Sequence, residues 1–419
     1  SGILYFKAQK VGKETLLSQI IALVEEAQNT KPPIQKISDK IVTFFIPAVL
    51  GIALIAFFSW HLLLGKSFLF SFSVFVSVIV VACPCALGLA IPAALTVGIG
   101  RGAQLGILIK NASALEESWK ITAIAFDKTG TLTEGKPVVT DIYAFNTSKA
   151  HLIQTAASLE RNSSHPLAKA TVELFGTNQF IECQDFKNHD GKGLSGQIDN
   201  KRILIGNRSL MNENQIQIKD EIEKQALLLE THAKTVFFVS EEGKIIGLMA
   251  ISDPIRKESF QTVALFNKLG LKTVLISGDN EVSVNTVAKE CGIKKYYSKT
   301  LPQDKYKIIE QLQKEGEKTA FVGDGINDAP ALAQSDLGIA IGGGTDIAME
   351  SAAIVLMKNN PLDSVKALLL SRKVFSRMKL NLFWAFFYNL LLIPLAAGVF
   401  SSFGIFIKPE WAGLAMAMS

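Results

Sequence analysis

Asp127-Lys128-Thr129-Gly130-Thr131 follows the apolar run Ile121-Thr122-Ala123-Ile124-Ala125-Phe126. A short apolar run closed by a polar Gly-Thr corner reads as a buried strand. Open α/β sheets gather their chemistry outside the carboxyl ends of such strands. A carboxylate placed there can attack phosphorus and become an aspartyl-phosphate. The turn would then supply backbone N–H groups and hydroxyls to the phosphate oxygens. For a lone Asp, a polar strand-to-loop corner is the commoner account, so the rest of the chain has to decide.

Downstream, Val274-Leu275-Ile276 runs into Ser277-Gly278-Asp279-Asn280, and Ala320-Phe321-Val322 into Gly323-Asp324-Gly325-Ile326-Asn327-Asp328-Ala329-Pro330. Leu337-Gly338-Ile339-Ala340-Ile341 is a further strand. Strands alternating with helical stretches imply a parallel sheet with helices on both faces. Asp127, Ser277, Lys305, Asp324 and Asp328 then follow strands or sit in adjoining loops, and they can converge. Phosphoryl transfer needs a nucleophile, charge neutralisation and a metal. Asp127 is the candidate nucleophile, Lys305 the neutralising cation, and Ser277 a hydrogen-bond donor to phosphate. Asp324 with Asp127 suits Mg²⁺, and Asp328 would orient that site or its water.

From Pro137 to about Leu248 the composition is that of a soluble insert. It holds Glu160, Ser164-His165-Pro166, and Gly191-Lys192-Gly193-Leu194-Ser195-Gly196 followed by Ile205-Gly206-Asn207. A glycine-rich loop lets backbone approach a ligand closely, although a hairpin turn is its commoner use. His165 could equally cap a helix.

A length of 419 residues implies two or more domains. A high apolar fraction beside ample charge fits membrane segments joined to soluble domains and excludes a disordered chain. The net charge of +5, with no basic run, gives nucleic acid no support as a partner. Four cysteines, two of them close together in an apolar segment, are no disulfide framework. Glu14 to Gln28 has helical amphipathic spacing and ends at Lys31-Pro32-Pro33. Ile41–Leu64 carries no acidic or basic residue apart from an interfacial His61, and it is long enough to span a bilayer. Phe68–Val97 and Leu380–Phe400 are read as further spans, with Arg101–Trp119 a polar, helical return. The second span contains Cys83-Pro84-Cys85. Residues two apart on a helix point to nearly opposite sides, so both thiols face one site only where the helix is unwound, as Pro84 would do. A proline kink between two small apolar cysteines is the bland alternative.

Asp127-Lys128-Thr129-Gly130-Thr131, the Gly323–Pro330 stretch and Cys83-Pro84-Cys85 together carry a resemblance. From Ile3 to Ser419 the chain resembles a heavy-metal-transporting P-type ATPase, most closely of the copper(I)-exporting class. The resemblance implies an α-helical membrane domain plus α/β soluble domains. The catalytic one would be a haloacid-dehalogenase-like, doubly wound parallel sheet, the phosphorylation domain, split by an inserted α+β nucleotide-binding domain. Residues 1–40 would be the trailing edge of an actuator domain and a linker helix, and 41–118 two membrane helices with a cytosolic return. Residues 119–137 and 249–375 would form the phosphorylation domain, 138–248 the nucleotide-binding domain, and 376–419 a membrane helix and the start of the last one. Most of the actuator and the first membrane helices of that family would lie outside the chain.

By the same resemblance Lys128, Thr129, Gly278, Asp279, Lys305 and Asp328 join Asp127 and Ser277 in catalysis, and Thr129 joins the Mg²⁺ ligands. Glu160, His165, Gly191, Gly193 and Asn207 would hold the adenosine part of ATP. The family often has Ser-Glu-His-Pro where this chain has Ser163-Ser164-His165-Pro166, and Thr-Gly-Asp where it has Ser277-Gly278-Asp279. Cys83 and Cys85, with Tyr388, Asn389 and Met416, would bind the transported Cu⁺, since soft sulfur ligands suit it. Asp39 matches an acidic position at the cytosolic metal entry, and a surface carboxylate at a helix end accounts for it equally well. The implied substrates and cofactors are ATP, Mg²⁺ and Cu⁺. The implied partners are the lipid bilayer and a copper chaperone as donor. The implied setting is the plasma membrane, with the catalytic domains in the cytosol. Alternatives are a divalent Zn²⁺, Cd²⁺ or Pb²⁺ pump, or a membrane-anchored phosphatase of the same core fold. Against a divalent ion, no charged residue lies between Leu380 and Phe400.

Overall fold

The computed structural model describes residues 21, 25, 27, 30, 32–82, 85–163, 165–232, 234–324, 328–342, 350–403 and 407–417, without the side chains of 85–87, 166 and 415–417. The chain divides into two compact units: Ser1–Ile121 with Ala352–Met357 and Lys366–Ser419, and Thr122–Ser351 with Lys358–Val365.

The first unit is built on helices. Pro33 opens the helix Pro33–Phe58, where its missing N–H costs nothing. With the turn that follows, the segment to Leu63 is long and apolar enough to cross a membrane. The helix Phe68–Val81 is capped by Ser67, whose hydroxyl accepts from the Phe70 N–H at 3.3 Å. The next helix is Cys85–Gln104. The expected span Phe68–Val97 is therefore two helices, with Cys83 and Pro84 outside the described residues. Val49, Ala53, Val78, Val81, Ile393, Ala396 and Ala412 form one buried cluster that packs four of the helices together.

Two expectations for this unit need correction. The polar return Arg101–Trp119 also contains a strand, Ile107–Ile109, paired antiparallel with Ile354–Leu356, before the short helix Ser113–Lys120. The third span is part of one 35-residue helix, Leu362–Ala396, which begins well before Leu380 and ends before Phe400. Lys366, Arg372, Lys373, Arg377 and Lys379 hide its first half from a hydropathy reading, because a helix need not stop where its apolar stretch does. The last helix is Pro409–Ala417. The amphipathic segment from Glu14 and the strand remnant at Ile3–Phe6 lie almost wholly outside the described residues.

The second unit holds two sheets. The parallel one has the strand order Leu337–Ile341, Thr319–Gly323, Ala123–Asp127, Lys272–Ile276, Lys295–Tyr297. In chain order the strands step from Ala123–Asp127 outward one way, then return past it the other way. Right-handed crossovers in opposite directions put helices on opposite faces and leave a crevice where the direction reverses. Asp127 ends one of the two strands that flank this point, and Asp324 directly follows the other. Lys295–Tyr297 was not expected: it is a three-residue edge strand with no full apolar run.

The antiparallel sheet runs Val138–Ala144, Lys244–Ser252, Thr235–Glu241, Lys201–Gly206, Gly193–Ile198, Cys183–His189. Both its faces are covered. Ile203, Ile205, Phe237, Val239, Met249 and Ile251 pack with Leu152, Ala156 and Leu159 of helix Lys149–Glu160. The alternate residues Leu204, Val236, Phe238, Leu248 and Ala250 pack with Leu210, Met211, Ile222 and Leu229 of the helices on the other side. The expected insert boundary at 248 falls inside the last strand, which continues to Ser252.

Candidate active site

Asp127 ends the central parallel strand and is only 5 % exposed. Its register partner is Ile276, so Ser277 comes directly beside it. Lys305 starts the helix Lys305–Lys314, and its Nζ lies 2.5 Å from Asp127 Oδ1 and 2.6 Å from Asp328 Oδ1. Burial pushes the Asp127 carboxyl up to about 7, helped by the Asp328 charge and opposed by Lys305. Burial also raises Asp328. For Lys305 burial acts downward, but the two carboxylates outweigh it and leave the ammonium raised. Two buried carboxylates thus share one buried cation, and the site is short of positive charge.

The donor set fits Mg²⁺. Asp328 Oδ2 and Thr131 Oγ1 are buried without a hydrogen-bond partner. Gly130 takes φ of +75°, where only glycine is unstrained, and a Cβ there would lie 3.5 Å from Asp324 Oδ2. Among the described residues no cage of three or more His, Cys, Asp or Glu exists. Mg²⁺ needs none, since it binds through one or two carboxylates, phosphate and water. Thr129 is exposed on the turn. Lys128 Nζ pairs with Asp279 Oδ2 at 2.5 Å, and Ser277 Oγ accepts from the Asp279 N–H at 3.2 Å.

Two residues of this site were missed in the sequence. Asp253 accepts from Thr133 Oγ1 at 2.5 Å and from the N–H groups of Gly135 and Lys136 at 2.8 and 3.2 Å. Arg256 donates to the carbonyls of Thr133, Glu134 and Gly130 at 2.8, 3.1 and 3.3 Å. Together they hold the backbone of the turn after Asp127. The signal was present: Asp253-Pro254-Ile255-Arg256 closes an apolar strand just as the recognised motifs do.

The five residues expected to hold the adenosine part line one cavity of about 390 Å³, together with Ser163, Asn188, His189 and Thr235. His165 is also a helix cap, its Nδ1 accepting from the Leu167 N–H at 3.2 Å. Asn207 Oδ1 accepts from the Leu210 N–H at 3.1 Å, and its Nδ2 donates to Gly191 O at 3.0 Å. Gly193 has φ of +144°, and a Cβ there would collide with Ile205 O. Glu160 is 5 % exposed, burial pushes its carboxyl up to about 7, and its Oε2 has no partner. A larger cavity of about 580 Å³ lies at the amino ends of the parallel strands and includes no residue of either site.

In the helical unit, Asn389 is buried and its Oδ1 lacks a partner, whereas Tyr388 is 45 % exposed. Neighbours on a helix are turned about 100° apart, and the two side chains accordingly differ in exposure. Cys85 opens its helix, Met416 lies in the last one, and the side chains of both, like all of Cys83, are outside what is described. Asp39 is exposed on the first turns of Pro33–Phe58.

Residues 121–336 match the family model of haloacid dehalogenase-like hydrolases. A probable copper-exporting P-type ATPase of Archaeoglobus fulgidus is 46 % identical over 422 residues, covering 100 % of this chain and 52 % of its own length. A crystal structure of a zinc-transporting PIB-type ATPase superposes with a TM-score of 0.80 at 31 % identity, covering 97 % of this chain and 66 % of that one. The catalytic domain of the CPx-ATPase CopB-B is 33 % identical with a TM-score of 0.50, and 98 % of it is covered by 66 % of this chain. The chain spans about half the length of the curated relatives it matches. The chain belongs to the haloacid dehalogenase-like hydrolases through residues 121–336 and, by sequence along its whole length and by fold in both units, to the heavy-metal P-type ATPases.

Proposed function

We propose that the protein exports Cu⁺ from the cytosol, driven by ATP, through an aspartyl-phosphate at Asp127. The observation that carries this is the buried trio Asp127–Lys305–Asp328 at the carboxyl end of the central strand. An Asp127 oxygen attacks the γ-phosphorus of ATP, the bond from that phosphorus to the β,γ-bridging oxygen breaks, and ADP leaves. Lys305 holds Asp127 in place and offsets charge on the phosphoryl oxygens. Ser277 donates to one of them, and Asp328 holds the Lys305 ammonium from the other side. Mg²⁺, bound by Asp127 and Asp324 with Thr129, would neutralise the charge of the transferring group. The adenosine part sits in the cavity of Glu160, His165, Gly191, Gly193 and Asn207. Hydrolysis of the phospho-Asp127 linkage completes the turnover.

Cys83 and Cys85 are proposed to bind Cu⁺ in the membrane, together with Tyr388, Asn389 and Met416. The charge-free stretch from Leu380 to Phe400 supports a monovalent soft ion over a divalent one. Asp39 would receive the ion from a soluble copper carrier, and the plasma membrane is the proposed location. The test is ATPase activity of the intact gene product in reducing buffer, titrated separately with Cu⁺ and Zn²⁺, with Cys83→Ser alongside. Stimulation by Cu⁺ alone, lost in the variant, is expected. Stimulation by Zn²⁺ alone would move the assignment to the divalent pumps, and turnover indifferent to both ions and to Cys83→Ser would leave a phosphatase.

A further inference from the structure

Helix Ser113–Lys120 is the last element before the strand that ends in Asp127. Two long helices are tied directly to it. At its start Glu116 Oε2 accepts from the Ile34 N–H at 3.1 Å, at the beginning of Pro33–Phe58. At its end Arg372, on Leu362–Ala396, donates from Nε to Ser118 O and from Nη2 to Ile121 O, each at 3.0 Å. Ser118 and Ile121 are buried. The last carbonyls of a helix have no partner within it and carry the negative end of its dipole. A guanidinium fork can hold two of them in a fixed relation, which a single ammonium cannot. Lys379, on the same long helix, sets its Nζ 3.6 Å above the Trp119 ring.

Helix Cys85–Gln104 is packed on the same arm. A Cβ on Gly98 would fall 2.5 Å from Val374 Cγ2, and one on Gly102 would fall 3.5 Å from Leu370 Cδ2. The helix that begins at Cys85 and the helix that carries Asn389 thus meet on either side of Arg372.

We propose that Arg372 is a positioning residue that latches the end of helix Ser113–Lys120 to helix Leu362–Ala396, so that a shift of the metal-binding helices is passed to the strand carrying Asp127; this rests on the transport reading above. Such a latch acts on the link between two sites and on neither site itself.

The experiment uses the intact gene product with Arg372→Gln and Arg372→Lys, following Cu⁺ binding, fluorescent-nucleotide binding and the ratio of Cu⁺-stimulated to metal-free ATPase turnover. Arg372→Gln is expected to bind both ligands normally and to lose about tenfold in that ratio. Arg372→Lys, reaching one carbonyl, falls between it and the wild type. A wild-type ratio in Arg372→Gln overturns the proposal. Parallel loss of both binding functions also overturns it, by making Arg372 a folding residue. If Arg372→Gln does not fold, Arg372→Lys decides: a reduced ratio with both ligands bound supports the latch, and an unchanged ratio overturns it. Absence of Cu⁺ stimulation in the unsubstituted protein would overturn the transport reading and the latch with it, a failure visible before any variant is made.

Discussion

Asp127 and Glu160 are both nearly buried carboxylic acids that burial pushes up to about 7, one ending a parallel strand and the other ending a helix over the antiparallel sheet. Their surroundings differ in one respect. Asp127 has a fixed cation at 2.5 Å, while the Glu160 Oε2 has no partner. As the proposed nucleophile, Asp127 must be ionised and aimed before its substrate arrives, so its counter-charge is built into the fold. A recognition carboxylate can leave an oxygen open, because the ligand brings the donor. Removing the nucleophile has the largest expected effect: Asp127→Asn loses about 10³-fold or more in ATP turnover and forms no acid-stable phosphoenzyme from radiolabelled ATP. Its nucleotide affinity, measured by fluorescence titration, stays at the wild-type value. A matching loss of affinity would mean that the two carboxylates serve one site.

Breaking the partner instead of the nucleophile tests the built-in charge. Lys305→Met leaves Asp127 and Asp328 buried together without a cation. Removing one side of a buried ion pair costs about 3–5 kcal/mol, read as a lower denaturation midpoint. Adding Asp328→Asn should recover part of the loss, since one carboxylate then needs no counter-charge.

Glu160 is predicted to trade stability for binding. In the folded protein it keeps its proton up to about 7, while in the unfolded chain it gives the proton up near 4.5. Its contribution to stability is therefore fully present below pH 4.5 and is lost as pH rises through about 7. Glu160→Gln should remove that slope and unfold later than the wild type at pH 8. A ligand N–H donating to the open Oε2 favours the carboxylate, so wild-type nucleotide affinity should rise with pH through 7. The variant should show a flat profile and bind weaker by about 10- to 100-fold, the worth of a hydrogen bond to a charged group. An affinity independent of both pH and the substitution would remove Glu160 from the ligand.

The parallel sheet was legible because its strands end in polar motifs that name themselves: Asp127, Ser277 and Asp324 each follow an apolar run. Lys295–Tyr297 was not, having too few residues to show a pattern. In the insert, strands such as Lys201–Gly206 and Thr235–Glu241 are buried on both faces, so Ile203-Leu204-Ile205 and Val236-Phe237-Phe238-Val239 show no alternation from which faces could be assigned. The residues lining the cavity of the insert are legible through its glycines and histidine, whose spacing is local. Arg372 gave no signal at all, since its partners are backbone carbonyls of Ser118 and Ile121, far away in the chain. Asp253 and Arg256 are legible in the same way, since they follow the apolar run of strand Lys244–Ser252.

The smallest expected effect separates scaffold from ligand contact within the cavity itself. Asn207 does two backbone jobs: its Oδ1 caps helix Arg208–Glu213 and its Nδ2 holds Gly191 O. Loss of a cap of this kind costs about 0.5–2 kcal/mol, so Asn207→Ala should lower stability by that amount. Asn207→Asp keeps the cap acceptor and loses the donor to Gly191. If Asn207 serves the nucleotide only by shaping the glycine loop, Asp and Ala, which both lose the donor to Gly191, should weaken binding about equally, while Ala, which also loses the cap, destabilises the fold more. If its amide touches the ligand directly, the Asp variant, which places a carboxylate there, should bind an anionic nucleotide more weakly than Ala despite the better fold. The sign of that difference tells whether the antiparallel domain, like the parallel one, fixes its polar contacts before the ligand arrives.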